Sequence, residues 1–252
     1  MNAKQRVSIW PMVVLLAVVL LAPASLWAHE EEAAAEGPHY GWSGKGEFGL
    51  VSTSGNSDTF SLNLGAEFTY DSEKWHHIFT ASALKSENNG DTTAKRYDLG
   101  AQSNYKLNEK SYMFGALRYD NDDFSAYEDQ ATVAVGYGRQ VVDTEKHKLN
   151  LEAGVGYRTS TVAGTGQSED GMIFRGLANW VWQMTASTSL GDRFLIEAGS
   201  DNTYMQNDLG LTVAINTKFA LNLAYQVRNN SDVPVGVDKT DTQTSVNLVY
   251  SF

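Results

Sequence analysis

Thr59-Phe60-Ser61-Leu62-Asn63-Leu64-Gly65-Ala66-Glu67-Phe68-Thr69-Tyr70 is the stretch on which the fold turns. Phe60, Leu62, Leu64, Ala66, Phe68 and Tyr70 fall on one face, and Thr59, Ser61, Asn63, Gly65, Glu67 and Thr69 on the other. Side chains alternate across a strand, so strict period 2 over this length specifies a β-strand with one apolar and one polar face. The same pattern closes the chain, where Val246, Leu248, Tyr250 and Phe252 oppose Ser245, Asn247 and Ser251.

Working outward from these two segments, the alternation predicts twelve strands: 42–53, 59–70, 75–86, 92–107, 111–122, 130–142, 148–161, 171–184, 189–200, 207–217, 219–229 and 240–252. The third, fifth and ninth alternate less cleanly, because Tyr112-Met113-Phe114 and Phe194-Leu195-Ile196 are apolar on both faces. Most reach the ~9–11 residues that cross a membrane as tilted strands. The connections sort by parity. Short ones lie at 71–74, 108–110, 142–147, 185–188 and near Lys218, and the longer ones at 87–91, 123–129, 162–170, 201–206 and 230–239. Only 54–58 is short among the second set. Short periplasmic turns and longer external loops mark an outer-membrane barrel. On the apolar face, Trp42, Tyr70, Trp75, Tyr105, Trp182, Phe219 and Tyr250 lie at the short-turn end, and Tyr97, Tyr119, Tyr157 and Phe174 towards the other. Amphipathic rings settle at headgroup level, so two such girdles are expected of a membrane barrel. The predicted fold class is therefore all-β: a transmembrane, antiparallel, up-and-down β-barrel of about twelve strands over residues 41–252.

The first residues set the compartment. Lys4 and Arg6 precede an apolar run from Met12 to Leu21, followed by Ala22-Pro23-Ala24 and Ala28. This is the layout of a secretory signal peptide, predicted over residues 1–28 with cleavage after Ala28. Residues 29–40 are acidic and Ala-rich and read as a flexible periplasmic leader. Removal of residues 1–28 leaves 17 Lys+Arg against 30 Asp+Glu, a charge of −13. That balance speaks against nucleic acid as a partner. With 0 cysteines, disulfides and thiolate metal sites are excluded.

Several segments together resemble one family: Gly55-Asn56-Ser57-Asp58-Thr59, Lys95-Arg96-Tyr97, Gly136-Tyr137-Gly138-Arg139, 151–158 (Leu-Glu-Ala-Gly-Val-Gly-Tyr-Arg), Gly199-Ser200-Asp201-Asn202-Thr203-Tyr204 and Asn230-Ser231-Asp232-Val233-Pro234. Across about residues 40–252 the chain resembles the YdiY-like salt-induced outer-membrane proteins, a family without an assigned biochemical function. The resemblance implies an outer-membrane location in a Gram-negative envelope and an osmotic response. It transfers no catalytic or ligand-binding residue.

Hydrolytic chemistry needs a nucleophile beside a positioned base. His29 and His39 lie in the leader, His147 in a turn, and His76 and His77 beside Trp75; no Gly-x-Ser-x-Gly occurs. No enzyme activity, catalytic residue or cofactor is therefore assigned. Asp120-Asn121-Asp122-Asp123 with Glu128 and Asp129 is the densest carboxylate cluster. It lacks the order and central glycine of a calcium loop, so it reads as a solvated acidic loop and no metal site is assigned. The inward faces carry Lys45, Glu47, Glu67, Arg96, Asp98, Lys106, Arg118, Asp120, Glu152, Arg158, Arg175, Arg193, Glu197 and Arg228. They either line a narrow aqueous path or pair into a plugged polar core. Twelve strands fall between the filled barrels of eight and the open channels of 16–18, so strand number leaves both readings open. The expected partners are lipid, lipopolysaccharide and the assembly machinery that reads a terminal aromatic, here Phe252.

Overall fold

The computed structural model describes residues 40–55 and 58–252. The predicted signal peptide and all of the leader except Tyr40 lie outside the described residues. The strands are β1 (Gly41–Thr53), β2 (Thr59–Asp71), β3 (Trp75–Asn88), β4 (Asp91–Lys106), β5 (Ser111–Asp122), β6 (Tyr127–Asp143), β7 (His147–Val162), β8 (Ser168–Gln183), β9 (Thr188–Gly199), β10 (Thr203–Ala214), β11 (Phe219–Asn230) and β12 (Thr240–Ser251). Each pairs antiparallel with the next, and β12 returns to β1, so the twelve-stranded sheet closes. Closure gives every strand a partner on both sides, as a sheet in hydrocarbon requires, although β1 and β12 meet only over Lys45–Phe48 and Leu248–Ser251.

The alternation decides which side of the wall each residue takes. Phe48 pairs with Leu64, Phe68 with Phe79 and Val155 with Phe174, all on the outer wall. Among the described residues, sixteen polar or charged residues are buried against nine hydrophobic ones, while Leu64, Leu99, Leu117, Val135 and Leu223 stand exposed. A water-soluble domain buries its apolar residues and exposes its charged ones. Here the order is inverted, as lipid outside and polar groups inside require.

The belt at the short-turn end is built from packed rings. Trp42 lies 5.1 Å from Tyr70, Trp75 lies 5.1 Å from Tyr105, and Phe219 lies 5.2 Å from Tyr250. Trp180, Trp182 and His147 stack into the same belt. Polar side chains hold the turns below it. The Asn108 side-chain oxygen accepts from the amides of Lys110 and Ser111, and Asn216 does the same for Lys218 and Phe219. Such local bonds replace the lost ladder bonds and keep a connection tight.

The opposite end departs from the sequence reading. Residues 201–206 were expected to form a loop, but β10 already begins at Thr203 and ends at Ala214. Likewise β6 begins at Tyr127 and β8 at Ser168, so stretches read as external loops are extensions of the ladder. The supposed loop at 87–91 is a two-residue hairpin on Asn89 (φ 51°) and Gly90 (φ 87°). Left-handed conformations at both positions make a type I′ turn, whose twist matches the flanking strands. Among the described residues only 231–239 remains a long connection, so the predicted contrast in loop lengths largely disappears.

Candidate functional site

Among the described residues, the lumen gathers the charged side chains singled out above. Lys45 and Glu67 form an ion pair at 3.4 Å, and all the other predicted inward charges project into the same interior. Their partners divide the interior into two unlike halves.

The half against β5–β9 is tightly packed. Glycines make the room for it: a Cβ on Gly136 would stand 2.7 Å from the Phe114 ring, and one on Gly138 would stand 2.3 Å from the Tyr112 ring. The Arg175 guanidinium lies 4.7 Å over the Phe114 ring and donates to Glu152 at 2.6 Å. Tyr112 and Gln102 also donate to Glu152, at 2.9 and 2.8 Å. Higher up, Arg118 donates to Glu197 at 2.6 Å, pairs with Asp120 and lies 4.5 Å over the Tyr204 ring. Arg158 caps the cluster by donating to the backbone carbonyls of Glu197 and Asn202. The side chains of Glu197, Glu152 and Arg175 are 1%, 3% and 5% exposed. Buried charges survive only when paired and hydrogen-bonded, and each of these has several partners.

A brace runs from this cluster across the lumen. Arg228 reaches Asp120 at 3.8 Å and Asp98 at 3.1 Å, while Arg96 on β4 donates to Gln226 and Gln243 on β11 and β12. These contacts join nearly opposite walls.

Beyond the brace, the half against β12 and β1–β3 is lined by small polar residues. A cavity of about 560 Å³ descends there, past Asp122 and Asp241 and the hydroxyls of Ser61, Ser86 and Ser245, to Asn63 and Gly49. Its floor is an amide contact: Asn63 donates to Asn247 at 3.0 Å, and Asn247 faces Glu47 at 3.5 Å. Below it, the Lys45 and Glu67 side chains are 43% and 36% exposed. Among the described residues Glu47 pairs with no cation.

The carboxylate cluster read as one solvated loop is divided by the pleat. Asp120 and Asp122 point inward to Arg118, Arg228 and Arg96. Asp129 faces outward, accepting from Tyr119 at 2.6 Å and Asn121 at 2.9 Å, and Asp123 pairs with Lys95 at 2.8 Å. Among the described residues no group of three or more His, Asp or Glu converges as a metal set. Sequence reasoning missed His76, which turns inward and shares Asp71 with Lys106 at the short-turn mouth, while His77 stacks outward on Trp75. The period-2 rule applied to Trp75 would have separated the two.

A family of proteins of unknown function, DUF481, matches residues 46–252. The chain belongs to the DUF481 family. A relative within reach of this DUF481 chain is the uncharacterized protein YdiY of Escherichia coli (strain K12), 26% identical over 204 residues, or 81% of this chain and 80% of that one. Among solved structures, the COG4313 outer membrane channel from Pseudomonas putida F1 matches 90% of this chain and 100% of its own, with a TM-score of 0.53 and 12% identity. The NanC porin covers 84% and is itself covered to 98%, with a TM-score of 0.48 and 12% identity. The DUF481 domain thus has the fold of an outer-membrane β-barrel.

Proposed function

We propose that this DUF481 barrel resides in the outer membrane as a narrow, passive conduit for small hydrophilic solutes, weakly selective for cations. The observation that carries this reading is the asymmetry of the lumen. Ion pairs fill one half, while the other holds a cavity open towards the long-loop end and separated from the exposed Lys45–Glu67 pair by the Asn63–Asn247–Glu47 contacts. Amide side chains that hydrogen-bond can part, and the Asn63–Asn247 contact costs only about 1 kcal/mol to break. Asp122 and Asp241 share the mouth with Arg96 and Arg228, so Glu47 at the floor, without a cation partner among the described residues, gives the path its negative bias. Rings of one sign favour counter-ions in a pore. Lipid and lipopolysaccharide would be the barrel's surroundings, and cleavage after Ala28 would precede its assembly. No chemistry is assigned to it.

The brace of Arg96, Arg228 and Asp98 favours a second reading, a barrel with a permanently closed lumen that acts as an envelope or surface-binding element. Conductance of the refolded protein across a planar bilayer separates the two. Small cation-preferring steps, reduced in preference by Glu47→Gln, are expected. Anion selectivity would overturn the charge argument, and a complete lack of conductance would establish the closed barrel instead.

A further inference from the structure

One carboxylate lies on the wrong side of the wall. Asp192 on β9 is paired directly with Trp180 and Leu209, both on the outer surface, while its neighbour Arg193 turns inward to Asp208 at 3.4 Å. Asn207, flanked on the outer wall by Phe194 and Val227, donates to Asp192 at 2.6 Å. This bond satisfies one oxygen and leaves the charge. Leu190, the direct partner of the belt residue Trp182, stands two residues before Asp192 on the same strand. Its direct partner Trp180 belongs to the girdle, so the carboxylate lies at the girdle's inner edge, facing the apolar band. A charge on the lipid face of a barrel is destabilising, more so with depth.

The same wall carries an opposite charge. Arg139 on β6 is exposed, lies opposite Ser111 and Leu151 on the outer surface, and makes no ion pair among the described residues. Strands β7 and β8 separate it from β9. The register runs from Arg139 to Leu151, then Ala178, then Phe194. Asp192 is two residues nearer the short-turn end than Phe194, which offsets much of the climb of register lines around a tilted barrel. The two charges thus come to similar depths, a difference the long arginine side chain spans. Between them the wall is low, with Ala153 paired to Gly176 and Ala178 beside them.

We infer that two copies of this chain associate in the membrane across the β7–β8 wall, with Asp192 of each copy paired to Arg139 of the other. A two-fold axis along the membrane normal sets β6 of one copy against β9 of its partner, twice, so a single patch is self-complementary. The arrangement pairs the two charges at the border of the apolar band, where the lowered dielectric strengthens their attraction. It holds whether or not the lumen conducts.

The chain has no cysteine, so introduced ones report cleanly. Ala178→Cys, near the axis, is compared in oxidised outer membranes with Leu223→Cys on β11, far around the wall. Heat-modifiable migration verifies folding in each case. A disulfide-linked dimer is expected for Ala178→Cys and not for Leu223→Cys. Adding Asp192→Leu or Asp192→Arg should cut the linked fraction about tenfold, and Arg139→Asp together with Asp192→Arg should restore it. Folded Ala178→Cys protein that stays monomeric, equal linkage at both positions, indifference to Asp192→Leu, or failure of the exchanged pair to restore linkage would each overturn the inference.

Discussion

Leu64 and Asn63 are adjacent on β2, yet substituting arginine at each should have very different consequences. Leu64 is 41% exposed on the outer wall, six residues from Tyr70 in the aromatic belt. At about 3.3 Å per residue and a tilt of about 40°, it stands about 15 Å above that belt. The apolar band of such barrels is about 25 Å tall, so Leu64 sits near its middle. An arginine there costs about 2–4 kcal/mol, and the loss of the leucine's own transfer energy adds to it. Asn63 faces the lumen, where Asn63→Arg breaks the bond to Asn247, worth about 1 kcal/mol. The new cation, however, finds Glu47 nearby on the far side of Asn247. Asn63→Arg should therefore be milder by about 1–3 kcal/mol. Urea titration of each variant refolded into lipid vesicles, followed by tryptophan fluorescence and heat-modifiable migration, measures the difference. Equal destabilisation would refute the assignment of faces, and with it the membrane reading of the outer wall.

Deleting Phe252 should lower the yield of assembled barrel. Its amide and carbonyl exchange 3.0 Å hydrogen bonds with Gly44, and its ring packs 5.9 Å from Phe68, where the ladder between β1 and β12 is only four residue pairs long. Normal levels in outer-membrane fractions would contradict this. Arg175→Ala should destabilise by about 3–5 kcal/mol, because it leaves Glu152 charged and buried. The apolar pair Arg175→Met with Glu152→Leu should recover much of that loss in the same urea titration. Neutralising Asp123, Glu128 and Asp129 together should weaken cation preference at about 0.1 M salt and have little effect at 1 M, where the Debye length shrinks to about 3 Å. Reversal potentials across an asymmetric bilayer at the two salt levels test it.

The strands were legible because lipid and lumen impose opposite chemistry on alternate residues, and Thr59–Asp71 shows that in its letters alone. The same rule also picked out the inward charges. The upper boundaries were not legible for a related reason. Tyr204 and Gln206 look like loop residues, but a polar lumen accepts them within a strand, so polarity does not mark where pairing stops. The Asn89-Gly90 turn was readable, since that dipeptide favours two successive left-handed residues. Which charge meets which was beyond reach. Arg118 and Glu197 are 79 residues apart and Arg96 and Gln243 are 147 apart, and their meeting depends on the stagger of all twelve strands. Gly136 and Gly154, quoted for resemblance alone, turn out to be directly paired beneath the Phe114 ring.

The uneven strand lengths bear on what a visitor from outside would meet. Strands β4, β7 and β8 run 16 residues and β6 runs 17, against 12 for β9–β12, and the surplus lies at the end away from the aromatic belt. Placed in an outer membrane, this end is a slanted palisade of hydrogen-bonded hairpin tips. Proteases act on chain that can be drawn out into their clefts, and such tips yield little of it, so among the described residues the segment 231–239 offers the main point of attack. A phage or antibody would find side chains at fixed spacings on a stiff ladder. Docking there needs little ordering of the surface, which lowers the entropic cost of recognition.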